Sequence, residues 1–469
     1  MTQCEKIARF ALTTTFEQLD SSLVNQLKIH LLDTLGSIVY ASDRPTIQKF
    51  IHALKFLGAG GKCATRFAGP LHFPQAAQLY TALLRYPDFM DNFLAKEATC
   101  HPSDNTGALL AAAQLTNASG KDFLTALAVG YYIECKLCEE FPVMMKGFDH
   151  TVLLGFSVTA GIAKLIGLTQ EQTAHALAIT GCFINPTVTC RASYTYEWKG
   201  LASSQVAGNC AQIAWFAKNN LTGPMSLFEG NKSYKDIYGM ELKTEWQQED
   251  FNLLKRCCLK SYNAEVHTQS AIEAALTLRH QHALHADDIK HIQVETFLTT
   301  YHIVGGGEYG DRSTVHSKEQ ADHSLPYLIA VALLDGKVMP EQLLPERINS
   351  DDVQSLLKKV KVTTAFPIHE PKKIVGMIDP YTRAYPDHVP VEVTVELTDG
   401  TKFHCKTDTF KGFFNNPFTW NDAVTKFKYL VQGHMTPDTV EKLVEHVKRL
   451  DEGDHMHELL LFLSGEQAI

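Results

Sequence analysis

The sequence predicts a mainly α protein, in which a large all-α helical domain carries an inserted, smaller α+β lid domain. Three observations lead there. Apolar residues recur at three- and four-residue spacing through the first half of the chain. Two-residue alternation replaces that period in several segments after about residue 265. Helical spacing returns from Asn421. The division expected is residues 1–265 with 410–469 for the helical domain and 266–409 for the lid.

Taken in order, Asp20 is a plausible N-cap for a helix carrying Leu23, Leu27, Leu31, Leu35 and Ile38 on one face. Helical patterns follow at Pro74–Leu84, Thr106–Thr116 and Lys121–Glu139. The run from His150 to Ile166 is apolar on nearly every side, which predicts a helix buried in the middle of a bundle. Thr169 and Gln172 form a capping box for the next helix. Between Gly200 and Lys218, Ala202, Ser203, Ala207 and Gly208 permit close helix packing. Further on, Lys290–Phe297 alternates like a strand and Val360–Ala365 is β-branched. Val391, Val393, Val395 and Leu397, turned by Asp399-Gly400 toward Phe403 and Cys405, read as a hairpin. Helices at Ala271–His280, Ser324–Leu334 and Asp351–Lys358 complete the α+β unit.

Composition narrows the function. The chain has 469 residues, and its 45% hydrophobic and 20% charged content is that of a soluble globular protein of two or three domains. A net charge of −9 with interspersed signs argues against nucleic acid or an anionic membrane as the main partner. No apolar run reaches membrane-spanning length. Eleven scattered cysteines and the absence of a secretory signal point to a reducing, cytoplasmic location. Cys135 and Cys138 form a C-x-x-C inside a helical pattern, where core packing is the better reading than zinc or redox chemistry.

The chemistry concentrates in residues 88–105, where Asp88 and Asp91 precede His101-Pro102-Ser103-Asp104-Asn105 at the start of an Ala-rich helix. An imidazole near carboxylates suits general acid/base work at neutral pH, and a helix start favours an anionic ligand. The bland alternative is a loop whose Ser103 and Asp104 merely cap the helix. Gly147-Phe148-Asp149-His150 sets a second imidazole before the buried helix. Arg191 and Lys199 flank the aromatic stretch Tyr194–Trp198, Lys260–His267 sits at the expected domain junction, and Gly305–Arg312 resembles a mobile loop. Its triple glycine lacks the strand-turn-helix frame of a dinucleotide site.

Asp-Phe-x-Asp followed by Leu-Ala-x-Glu and His-Pro-Ser-Asp-Asn, then Gly-Phe-Asp-His, then Lys-x-Tyr-x-Ala-Glu-x-His, together resemble the 2-methylcitrate dehydratase / cis-aconitate decarboxylase family, often called MmgE/PrpD. Asp322-His323-Ser324 leading into Tyr327 is similar to the family as well. The likeness covers most of the chain and is closest to the dehydratase branch. It implies catalytic roles for Asp88, His101, His150, Lys199, Lys260 and Tyr309. It implies a homodimer, a small tricarboxylate substrate, and neither metal nor other cofactor. The chemistry of a polycarboxylate leads us to expect substrate binding by Lys199, Lys260, Arg191 and Ser103. The chain departs from the family pattern at Asn263, at Asn92-Phe93 and at Tyr196-Glu197-Trp198.

The resulting expectation is dehydration of 2-methylcitrate or a citrate-like acid. The developing carbanion needs fixed positive charge, which lysines and imidazolium would supply. Decarboxylation of cis-aconitate would use the same groups. An isomerase or epimerase of a small dicarboxylate, or a catalytically dead metabolite-binding homologue, are the other possibilities.

Overall fold

Asp20 accepts the Leu23 N–H at 2.8 Å and opens the helix Ser21–Ala41, as its place before a leucine ladder predicts. Thr169 and Gln172 exchange both capping-box hydrogen bonds, at 3.1 and 3.0 Å, before the helix Gln170–Phe183. The computed structural model describes residues 1–192, 194–246, 251–366 and 368–466. Among these the chain is mainly α with one four-stranded sheet and a two-stranded pair, and no helix is long and apolar enough to cross a membrane.

Two compact units emerge, Met1–Val188 with Gly200–Cys258 and Phe418–Ile469, and Thr189–Lys199 with Leu259–Pro417. The units meet in sequence at Cys258 and Phe418, and Thr189–Lys199 groups with the second. The physical reason is polar anchoring across long sequence separation: Thr195 Oγ1 donates to the Glu319 carbonyl at 2.6 Å and Lys199 Nζ to Asp322 at 2.7 Å.

In the first unit, every residue from Thr151 to Ala163 of the helix Thr151–Leu165 is buried, as a run apolar on all sides requires. Close approach of its neighbours depends on small residues. A Cβ on Gly107, in the helix Asp104–Thr116, would lie 2.4 Å from the Thr81 backbone nitrogen of the helix Phe73–Arg85. A Cβ on Gly208, in the helix Ala202–Lys218, would lie 2.3 Å from Gln78 Cγ. The chain returns to this unit through the helices Trp420–Leu430, Pro437–Lys448 and His455–Ser464, with Lys426 and Leu443 among their buried residues.

The second unit is built on the sheet order Val360–Thr364, Ile289–Thr296, Val391–Leu397, Lys402–Thr407. The first pair is parallel and the other two are antiparallel. Ile292, Val294, Val391, Val393 and Val395 turn one face inward against the helices Gln269–His282 and Leu325–Asp335. The Asp399-Gly400 turn closes as expected: Asp399 accepts the Thr401 N–H at 2.8 Å and Gly400 takes φ 91°.

Candidate active site

The expected site residues divide between the units. Asp88, His101, Ser103 and His150 lie in the first, and Arg191, Lys199, Lys260 and Tyr309 in the second.

In the first unit the segment after the helix Phe73–Arg85 is buried despite being irregular. Asp88 is 4% exposed and holds φ 57°, a left-handed conformation that a non-glycine residue adopts at a cost. The turn is held from behind. Lys426 Nζ donates to the Phe89 carbonyl at 2.6 Å, lies 3.7 Å from the Phe89 ring centroid, and pairs with the fully buried Asp33 at 2.8 Å. Asp91 then ties the two ends of the segment together. Its Oδ1 accepts the Ser103 N–H at 2.9 Å and its Oδ2 meets His30 Nδ1 at 2.7 Å. Burial alone would raise the Asp91 carboxyl, but His30 and Ser103 overcome it and hold it below the usual carboxylate range.

A two-residue antiparallel pair, Phe93–Leu94 with Thr99–Cys100, brings the chain back so that His101 lies over its own starting point. His101 Nδ1 sits 3.0 Å from the Asp91 carbonyl and 2.9 Å from the Asn92 side-chain amide. A carbonyl requires Nδ1 to donate, so the Asn92 amide oxygen, rather than its nitrogen, belongs at that contact. In the neutral ring the proton therefore resides on Nδ1, which makes Nε2 the basic nitrogen. Asn92 is one of the positions where the chain departs from the pattern of the family it resembles.

His150, 3% exposed, stands directly before the helix Thr151–Leu165. Its ring centroid lies 5.0 Å from that of His101 at an interplanar angle of 64°. Asp149 fixes this start by accepting the Thr151 N–H at 3.1 Å and its hydroxyl at 2.7 Å. The structure thus brings the two expected imidazoles together. Ser103 is fully buried, and its backbone N–H is the group tied to Asp91. Behind the loop, the buried Glu134 accepts from Asn105 Nδ2 at 2.7 Å. Burial, with the nearby charges of Asp104 and Asp91, pushes the Glu134 carboxyl well above its usual range.

In the second unit Lys199 is 2% exposed and its ammonium lies 2.7 Å from Asp322 Oδ1 and 3.0 Å from His323 Nδ1. Lys318 reaches the other Asp322 oxygen at 2.8 Å. Burial opposes ionisation of Asp322, yet Lys199, Lys318 and His323 outweigh it and hold the carboxyl well below the carboxylate range. Arg191 donates to the Lys199 carbonyl at 3.3 Å. Lys260 is fully buried, with Glu265 among its electrostatic neighbours. Burial would raise the Glu265 carboxyl, but His267, His323 and Lys260 together lower it. His267 bridges Glu265 at 2.7 Å and the Tyr385 hydroxyl at 3.0 Å. Tyr309 is half-buried and hangs from the His302 carbonyl through its backbone N–H, at 3.0 Å. The unit thus gathers buried lysines, an arginine and imidazoles around two carboxylates, a composition suited to binding a polyanion.

Sequence reasoning gave no role to Asn92, His30, His267, Asp322, His323 or Arg312. Asp322-His323 offered one signal, a charged pair directly before a helix, and His267 another, as the last residue of the Lys-x-Tyr-x-Ala-Glu-x-His segment; His30 meets its partner Asp91 only across 61 residues. Cys135 and Cys138 are fully buried, and burial first of all pushes both thiols well above their usual range, as core packing implies.

Two family models match the chain, the MmgE/PrpD N-terminal domain over residues 5–247 and the MmgE/PrpD C-terminal domain over residues 262–452. Among curated relatives, a 2-methylcitrate dehydratase of Escherichia coli (strain K12) is 27% identical over 80% of this chain and 78% of its own length. A cis-aconitate decarboxylase of Mus musculus is 25% identical over 95% of this chain and 90% of its own. A protein of Saccharomyces cerevisiae named probable 2-methylcitrate dehydratase is 27% identical over 82% of this chain and 77% of its own. With both models matched in order over most of its length, the chain belongs to the MmgE/PrpD family.

Proposed function

We propose that the protein is a lyase, a metal-independent hydro-lyase that dehydrates 2-methylcitrate or a citrate-like tricarboxylate to the corresponding aconitate. The observation that carries this reading is the buried His101–His150 pair, with ring centroids 5.0 Å apart and His101 oriented through Nδ1. Dehydration of such an acid removes a proton beside a carboxylate and expels a hydroxyl group. His101 Nε2 is the general base or acid, and His150 is its counterpart or a carboxylate ligand. Asp88 belongs to the same apparatus. Lys199 and Lys260 hold substrate carboxylates and stabilise the developing charge, with Arg191, Ser103 and Tyr309 assisting. The names of the dehydratase relatives support the reaction class.

A second reading, decarboxylation of cis-aconitate, is favoured by the mouse relative, whose similarity spans 95% of this chain. There the same cations bind the carboxylates and an imidazolium protonates the carbanion left by carbon dioxide. The working form in either case is a cytoplasmic homodimer.

The test offers purified protein citrate, 2-methylcitrate, cis-aconitate and cis-2-methylaconitate in turn, with and without chelator. Conjugated double-bond absorbance rising from 2-methylcitrate, insensitive to chelator, is expected. Carbon dioxide release from cis-aconitate without hydration chemistry would replace the first reading by the second. Turnover of none of the four would overturn both.

A further inference from the structure

One cavity of the second unit takes no part in the steps above. It encloses about 260 Å³ and is lined by, among others, Tyr194, Asp311, Arg312, Thr314 and Gln320. Arg312 borders it while only 4% exposed. Its Nε donates to the Ile303 carbonyl at 2.9 Å, near the end of the helix Leu298–Val304, and its own carbonyl accepts the Ser324 hydroxyl. A guanidinium clamped in this way is pre-organised for a planar, two-point anion, unlike one on a free surface side chain.

The remaining polar groups in the wall have been oriented as well. Asp311, an acid of this wall, turns its carboxylate onto its own turn and accepts from Ser313 N at 2.9 Å, Ser313 Oγ at 2.6 Å and Thr314 Oγ1 at 3.0 Å. Gln320 uses its Oε1 to accept the His316 and Ser317 N–H groups at 2.8 and 3.2 Å, so what it can offer a ligand is its NH₂. Tyr194 adds a phenol. The lining therefore presents donors and a fixed positive charge. The volume lies just below the roughly 300–1,000 Å³ of drug-sized sites, which suits a small acid and is too small for a nucleotide or a coenzyme A ester. Arg312 has Asp322, Glu265, Asp311 and Tyr309 as electrostatic neighbours, so it shares with Lys199 the Asp322 carboxylate as a counter-charge.

We propose that this cavity is a carboxylate subsite in which Arg312 recognises a substrate carboxylate remote from the reacting carbons. This rests on the polycarboxylate reading above and makes Arg312 the residue that distinguishes a tricarboxylate from an acid with one carboxylate fewer.

The experiment compares wild type with Arg312→Gln, Arg312→Lys and Gln320→Glu. Citrate and citramalate binding are measured by titration calorimetry, alongside initial rates on 2-methylcitrate. Gln320→Glu keeps the two capping acceptors and adds a negative charge to the cavity, so it stays informative should the buried arginine prove necessary for folding. Arg312→Gln is expected to weaken citrate binding and raise KM by roughly 10- to 150-fold, the loss of one charged hydrogen-bonded contact, with kcat within about threefold. Citramalate, lacking one of citrate's carboxylates, should bind the variant and the wild type alike. Arg312→Lys should fall between, and Gln320→Glu should weaken citrate by about tenfold or more, with relief at high salt. Citrate affinity within twofold of wild type in both Arg312→Gln and Gln320→Glu would overturn the subsite while leaving any observed dehydration standing. If citrate binding depends on Arg312 but no tricarboxylate is turned over, the subsite stands and the reaction reading falls.

Discussion

Replacing Lys426 by Met tests how the strained Asp88 turn is held. The ammonium serves three partners at once: Asp33 at 2.8 Å, the Phe89 carbonyl at 2.6 Å, and the Phe89 ring face at 3.7 Å. Lys426 is 6% exposed and Asp33 fully buried, so solvent screens neither. Breaking a buried ion pair from one side costs about 3–5 kcal/mol, because the carboxylate left behind stays desolvated. The ring contact adds up to about 2 kcal/mol, not additively. We therefore expect Lys426→Met to destabilise the first unit by about 4 kcal/mol, roughly a 10³-fold increase in amide exchange where opening is global. Asp33→Leu in the same chain should recover most of that, since apolar groups in place of both partners are often neutral. The residual deficit should be the lost bond to Phe89, read as faster exchange confined to residues 86–92. The measurement is a urea titration followed by far-UV dichroism, together with hydrogen exchange resolved by peptide, on both single variants and the double. A loss under 1 kcal/mol in Lys426→Met, or a double variant no more stable than the single, would refute the argument.

Substituting His101 by Ala should lower kcat by about 10²- to 10⁴-fold with dichroism unchanged, the range of a lost general acid or base; near wild-type turnover would remove it from the chemistry. Acid should act through Asp91, Glu265 and Asp322, all held below their ordinary values in the fold. Their stabilisation is present above the unfolded carboxylate range, about pH 4, and is lost as pH falls through the depressed folded values. Asp322→Asn should accordingly flatten the acid limb of melting temperature against pH while lowering the neutral plateau. Gly107→Ala, whose Cβ would meet the Thr81 backbone at 2.4 Å, should cost about 1–3 kcal/mol. Gly208→Ala meets only the flexible Gln78 side chain and should cost less in the same denaturation assay.

How much of this was legible beforehand depended on the range of the interactions involved. Asp20, Thr169 with Gln172, and Asp399-Gly400 act within a few residues, and each does what local chemistry predicts. The all-round apolar run after His150 likewise announced its own burial. Lys199 was legible as a candidate, but its partner Asp322 lies 123 residues away, and no periodicity ties Thr189–Lys199 to the second unit. Asn92 was noticed only as a departure from pattern; its contact with His101 arises because a two-residue strand pair folds the segment back on itself. Arg312 was passed over at the end of a glycine-rich loop because nothing in its neighbours foretells a clamp by Ile303.

His323 Nδ1 lies 3.0 Å from the Lys199 ammonium and 2.8 Å from an Asp322 oxygen. A single ring nitrogen can take a hydrogen from the first or give one to the second, not both at once. When it takes, the far nitrogen of the neutral ring carries the hydrogen; when it gives, that nitrogen is bare. The partner that Nδ1 engages therefore decides whether the opposite edge of the neutral imidazole offers a hydrogen or a lone pair.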